Sequence, residues 1–255
     1  MSQQMNSRLV ATSALVDEPY SSILGYPKSS RDELESRVNE LESIGVQEIL
    51  FEGNSKIGKL DLLGKGCVSV VVKAVIGDRI LALKIRRLDA DRESMEREAE
   101  MLKIANSVGV GPKHIGSSKN FLLMDLADGI KIIDLIMKMD NKKSKIKSVA
   151  LDVIEQCYKL DKIGLDHGEL SNLNKHVIVG DAVTIIDFES ASVKRRVANV
   201  TAATQCLFIG SAIARKVGKL LKIGSKDEII RYLREYKSDK SRENLGRLQK
   251  ILGLA

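Results

Sequence analysis

No tryptophan occurs in the 255-residue chain, aromatic residues make up only 4% of it, and just three prolines interrupt it. Leu, Ile, Val and Met must therefore fill the interior. The three cysteines, Cys67, Cys157 and Cys206, are odd in number and far apart. That spacing excludes a disulfide framework and a cysteine metal knot, and it favours a reducing cytoplasm. No apolar run approaches the ~18 residues that a membrane span requires. The first six residues lack a basic segment followed by an apolar stretch, so no secretory signal is read there. A soluble, cytoplasmic protein with no membrane partner is expected.

What is present is a chain 44% hydrophobic and 29% charged, enough for one sizeable core or two small lobes. Lys and Arg number 41 against 34 Asp and Glu, a formal charge of +7. Such a balance suits an acidic partner such as ATP, a nucleic acid or an acidic protein, and equally a solvated basic surface.

Residues 1 to about 28 are weakly patterned. Ser30-Arg31-Asp32-Glu33 reads as a capping box, with Leu34, Val38 and Leu41 at helical spacing and Gly45 as the stop. A short strand is expected at Gln47 to Phe51. Strands are expected at Gly58 to Leu63, Val68 to Ile76 and Arg79 to Ile85, the last two joined by Gly77-Asp78. A charged helix is expected from Asp89 to about Asn106, then an apolar strand from Phe121 to Leu126. The remainder reads as mostly helical: Lys145 to Leu160, Val200 to Leu221, Lys226 to Tyr236 and Ser241 to Leu252. Two short strands, Val177 to Val179 and Val183 to Ile186, sit among them. A β-rich half followed by a helical half predicts two unlike lobes.

Two glycine segments bear on nucleotide chemistry. Gly53-Asn54-Ser55-Lys56-Ile57-Gly58-Lys59 nearly matches a phosphate-binding P-loop. Leu60 follows where a hydroxyl should sit, and a strand follows where a helix should begin, so a turn is expected instead. Gly64-Lys65-Gly66-Cys67-Val68-Ser69 lies between strands. It can form a flap whose amides cover phosphates, or an ordinary glycine turn.

More specific strings follow. Leu81-Ala82-Leu83-Lys84-Ile85 resembles the protein-kinase strand whose lysine meets the α and β phosphates, and Glu98 in Arg97-Glu98-Ala99-Glu100 resembles its helix partner. His167-Gly168-Glu169-Leu170-Ser171-Asn172-Leu173-Asn174 resembles the catalytic loop, and Asp187-Phe188-Glu189 resembles the metal-binding Asp-Phe-Gly. Asn174 lies five residues after Glu169, and Asp187 thirteen after Asn174. Over about residues 58 to 220 the chain resembles the atypical, RIO-like and KEOPS-type small kinases of archaea and eukaryotes. About eleven residues after Glu189 leave no room for a long activation segment.

The resemblance implies an α+β, bilobal protein-kinase-like fold. It would have an antiparallel sheet with one key helix in the N-lobe, and a mainly helical, reduced C-lobe. Residues 1–52 would be an N-terminal extension with a helix, 53–127 the N-lobe and 128–255 the C-lobe. It implies ATP and Mg²⁺ as cofactors. Lys84, Glu98 and Glu169 would be catalytic, and Asn174 and Asp187 would bind metal. Gly64, Lys65, Gly66, Ser69, Val71, Ala82, Lys84, Asp125 and Ala127 would contact the nucleotide, with Met124 at the adenine edge. His167 would brace backbone and Asp187 rather than transfer protons. By its own chemistry, Cys67 in the flap is read as a small apolar filler, with a reactive thiol as the alternative.

Three departures matter. Glu169 replaces the expected aspartate, Glu189 replaces the glycine, and His176 falls where an apolar residue usually floors the adenine pocket. An extra methylene moves a carboxylate by about one C–C bond, where small misplacements can cost ~100-fold in rate. The primary expectation is a Ser/Thr protein kinase. A pseudokinase that binds ATP as a switch or scaffold is the alternative, as is a nucleic-acid-associated ATPase using Lys194-Arg195-Arg196 and the basic C-terminal helices. The phosphate acceptor would be a protein, or an RNA-associated one.

Overall fold

The computed structural model describes residues 8–138 and 143–255. They divide into two compact units, residues up to Glu100 with Lys113–Leu126, and Met101–Pro112 with Ala127–Ala255.

The first unit is built on an antiparallel sheet. Its elements in chain order are β1 (Arg8–Ala11), α1 (Ser21–Leu24), α2 (Arg31–Ser43), β2 (Glu48–Phe51), β3 (Ser55–Ile57), β4 (Leu60–Leu62), β5 (Gly64–Lys65), β6 (Ser69–Ile76) and β7 (Arg79–Arg86). Helix α3 (Glu96–Asn106) follows, then β8 (His114–Ser117) and β9 (Phe121–Asp125). The sheet order is β1-β2-β6-β7-β9-β8, with β5 paired to β6, while β3 and β4 form a separate hairpin. The segment expected as an extension thus contributes β1 and β2 to the main sheet.

Alternation along β6 and β7 sorts the side chains. Val70, Val72, Leu83 and Ile85 join Leu34, Val38 and Leu41 of α2 in the core. Val71, opposite Lys84, which is opposite Leu122, lies on the other face. Ser30 caps α2 by accepting from Glu33 N at 3.3 Å, but the Glu33 carboxylate turns to Arg37 Nε at 2.9 Å rather than completing the expected box. Arg37 is fully buried and also donates to Leu24 O, Arg86 O and Asn120 Oδ1 at 2.8, 2.8 and 3.1 Å. Glu40 accepts from the Asn120 backbone and side-chain amides at 2.6 and 2.7 Å, so α2 is fastened by polar bonds to the start of β9.

Two helices differ from expectation. α3 starts at Glu96, not Asp89, because Asp89 is held by Arg87 and Ser94 Oγ accepts from Glu96 N at 3.4 Å. The Gly53–Lys59 segment ends in the β3–β4 hairpin turn, and no helix follows it. The expected helix over Val200 to Leu221 is broken.

The second unit is mainly helical. It contains β10 (Ile130–Lys131), α4 (Ile132–Lys138), α5 (Lys143–Lys162), α6 (Leu173–His176), β11 (Val177–Val179), β12 (Val183–Ile185), α7 (Asn199–Thr204), α8 (Ala212–Leu220), α9 (Lys226–Ser238) and α10 (Arg242–Ile251). β10, β11 and β12 form a small antiparallel sheet. The break between α7 and α8 arises because Ser211 leaves helical geometry and caps α8, accepting from Ala214 N at 3.0 Å. Ser225 and Glu228 complete a capping box at α9.

Asp161 organises this unit. It is buried and accepts from Asn199 N, Asn199 Nδ2 and Tyr236 Oη at 3.0, 2.8 and 2.9 Å. Burial pushes its carboxyl above the usual range even so, and the Tyr236 phenol is pushed up by burial and by Asp161. An antiparallel sheet with helices in one unit and a mainly helical second unit place the protein in the α+β class. Among the described residues no helix is long and apolar enough to cross a membrane.

Candidate functional site

In the first unit, strand β7 carries Lys84 and helix α3 carries Glu98. Both are buried, at 6% and 4% exposure, and Lys84 Nζ donates to Glu98 Oε1. A buried ammonium is costly unless paired and hydrogen-bonded, and this pair supplies both. Around Lys84 on the same sheet face stand Val71, Ala82, Leu122 and Met124, an apolar patch, with Lys73 opposite Ala82 further along.

The glycine segment is a tight hairpin rather than an open loop. Gly64 and Lys65 pair with Val71 and Val70, Gly66 N donates to Ser69 O at 2.8 Å, and Ser69 is buried. Lys65 does not stand free: its Nζ donates to Tyr26 Oη at 2.6 Å and lies 4.5 Å from that ring's centre. Arg87 sits 5.0 Å from the same ring and donates to Gly66 O at 2.7 Å. Cys67 is exposed at the tip, which overturns the filler expectation. Asp125 pairs with Arg79 at 2.9 Å through its side chain, and its backbone amide donates to Lys113 O at 2.9 Å.

In the second unit, Ala127 lies in the loop before β10. Met101–Pro112 packs on Phe188, where Gly111 (φ +82°) admits no side chain because a Cβ would stand 2.8 Å from Phe188 Cε2. The loop from Asp166 to Asn174 is tethered at several points. His167 N donates to Asn199 Oδ1 at 2.9 Å, and its ring Nε2 meets Ile186 O at 3.0 Å. Burial holds the His167 imidazole down to about 4, so it stays neutral near pH 7 and braces the strand leading to Asp187. Gly168 (φ +89°) leaves room for Arg195, whose guanidinium would lie 2.4 Å from a Cβ there; Arg195 in turn donates to Asp166 Oδ2 at 2.6 Å.

Asp187 is the one residue other than glycine with a positive φ (+74°) among the described residues. Such backbone is sparsely populated and is often held where function needs it. Glu169, His176 and Asp187 come together. His176 is buried, its Nε2 3.7 Å from Glu169 Oε2 and its Nδ1 3.6 Å from Asp187 Oδ2. Asn174 Oδ1 is enclosed with no hydrogen-bond partner.

His176 is the residue whose place the sequence reading missed. By sequence it falls where an apolar residue usually floors the adenine pocket, just before the expected strand; α6 ends on it, and its ring stands beside Glu169 and Asp187. The Lys65–Tyr26 and Arg37–Asn120 contacts were also unforeseen, since they join residues 39 and 83 positions apart. Of the basic string, Arg195 is committed to Asp166 and to Ser190 O at 2.9 Å, while Lys194 and Arg196 are exposed.

The family model described as RIO domain matches residues 72–203, which spans β6 through most of α7. An uncharacterised protein of Methanocaldococcus jannaschii, MJ1211, is 30% identical over 113 residues, covering 44% of this chain and 94% of that protein. The strand lysine with its helix glutamate, and the tethered loop with its Asp187, all fall within the matched span. The chain belongs to the RIO domain family, an atypical protein-kinase-like family of phosphotransferases.

Proposed function

We propose that this protein is an ATP- and Mg²⁺-dependent phosphotransferase that moves the γ-phosphoryl group to a serine or threonine hydroxyl of a protein. The buried Lys84–Glu98 pair carries the reading. A lysine kept charged, extended and beside an apolar sheet face is suited to the phosphates of a nucleotide whose base lies on that face. Val71, Ala82 and Met124 would line the adenine, with backbone groups of Asp125 and Ala127 at its edge. The Gly64–Ser69 hairpin would cover the phosphates with its small residues.

Asn174 and Asp187 fit a magnesium site. An enclosed amide oxygen that accepts no hydrogen bond, as Asn174 Oδ1 is, suits an oxygen-seeking cation. When bound, Mg²⁺ would neutralise phosphate charge. Glu169 would accept the acceptor hydroxyl's proton. His167 would hold the backbone at Ile186 so that Asp187 keeps its positive φ.

The test is nucleotide binding with and without magnesium, followed by ADP formation. Lys84→Met should abolish ADP formation, and Asp187→Asn should reduce it at least about 100-fold. Equal turnover by wild type and Asp187→Asn would remove the enzyme reading.

Glu169 favours a second reading, nucleotide binding without turnover as a switch or scaffold. Its carboxylate is one methylene further out than the family's aspartate and reaches toward His176. Tight ATP binding with no ADP formation in any condition would select it.

A further inference from the structure

Arg195 stands where two segments of the site meet, and the proposed function gives it no part. Its Nε donates to Asp166 Oδ2 at 2.6 Å, and its Nη2 donates to Ser190 O at 2.9 Å. Asp166 lies three residues before Glu169, and Ser190 lies three residues after Asp187. One planar guanidinium thus bonds the loop that carries the proposed base and the segment that carries the proposed metal ligand. It also lies against Gly168, the residue before Glu169, where a Cβ would stand 2.4 Å from Nη2 and 3.3 Å from Cζ. A side chain at that position would push the fork off its acceptors. The fold closes this turn without the guanidinium. Asp166 and Ser192 exchange backbone hydrogen bonds of 3.0 and 2.8 Å, and Asp166 Oδ1 accepts from Ala198 N at 2.9 Å. The Arg195 side chain is 48% exposed, and an ion pair so open to water adds little stability.

We propose that Arg195 is a positioning residue: its guanidinium holds the Glu169 loop and the Asp187 segment in one fixed relation, and turnover depends on that relation. The inference rests on the phosphotransferase reading above and adds a residue that touches neither nucleotide nor metal in it. Glu169 and Asp187 must meet the same phosphoryl group from different segments. An error of about 1 Å between reacting groups can cost ~100-fold in rate. Two bonds from a rigid planar fork set direction as well as distance. An ammonium at the end of a flexible stem does not, so lysine is no equivalent at this position.

Arg195→Ala and, should it not fold, Arg195→Gln are compared with wild type as full chains by ADP formation from MgATP, thermal unfolding and hydrogen exchange. The variant should lose at least about tenfold in kcat, with KM for ATP changed less than about threefold and Tm lowered by less than about 4 °C. Arg195→Lys should stay within about threefold of Arg195→Ala. Two amides report the segments: Asn172 N donates to Glu169 O, and Ala191 N donates to Phe188 O. Both should exchange at least about tenfold faster in the variant. Arg31→Ala removes a first-unit arginine that is 59% exposed and paired with Asp17 and Glu35. It should leave kcat within about threefold of wild type. Near-wild-type kcat in Arg195→Ala, a loss that appears in KM instead, full turnover by Arg195→Lys or a loss matched by unfolding would each overturn the proposal. So would unchanged exchange at both amides, whether or not wild type turns over. Wild type that forms no ADP would end the phosphotransferase reading, and faster exchange at both amides would then still support the clamp.

Discussion

The two units hold their charged groups in opposite ways. In the first, Lys84 and Glu98 are both buried and bonded to each other. In the second, Glu169 and Asp187 are partly exposed, their contacts to His176 are long, and Asn174 Oδ1 accepts nothing. The first pair is part of its unit's stability, while in the second the carboxylates stand 3.6 and 3.7 Å from the ring. Breaking the first should therefore unfold, and breaking the second should disable without unfolding.

The largest effect should come from Lys84→Met, which leaves Glu98 buried without its cation. A loss of about 3–5 kcal/mol in denaturant unfolding is expected. Adding Glu98→Leu should restore most of that stability without restoring turnover, because an apolar pair of similar volume needs no partner. A double variant as unstable as the single would show that the pair does not behave as one unit.

Next is acid. The folded His167 imidazole is held to about 4, below its unfolded value of 6.5. The unfolded chain takes up the proton first, so the stability His167 contributes is present above 6.5 and is lost as pH falls from 6.5 to 4. The window is worth about 3 kcal/mol. Unfolding measured across that range should show the loss in wild type and a flatter profile in His167→Asn.

Asp187→Asn should change stability by less than about 1 kcal/mol, since Asn also tolerates positive φ, while ADP formation collapses. An effect on stability equal to that of Lys84→Met would end the contrast between the units. Smallest is Tyr26→Leu, expected to cost about 0.5–1 kcal/mol, the worth of the cations it holds, since leucine keeps the half-buried apolar contact.

Much of this was legible in sequence where neighbours decide structure. Alternation and Gly77-Asp78 located β6 and β7, and Ser30 and Ser225 marked helix starts through bonds spanning three residues. The spacing from Glu169 to Asp187 singled out two residues that the second unit brings near each other. Distant pairing was not legible. β1 is four residues long and exists because β2 pairs with it, and buried Arg37 is an ordinary helix residue until Asn120 meets it. The surroundings of His176 were not legible either: Leu173-Asn174-Lys175-His176 closes as a short helix before β11, and the ring ends beside Glu169 and Asp187, which lie on other segments.

The bracket of Lys65 and Arg87 on Tyr26 has an optical consequence. With no tryptophan in the chain, its five tyrosines dominate the ultraviolet emission. Tyr26 is the one whose hydroxyl accepts from a flap lysine. Replacing the other four by phenylalanine would make its emission a built-in signal of flap position. A nucleotide phosphate that draws Lys65 away would then be seen as a change in brightness, without a label.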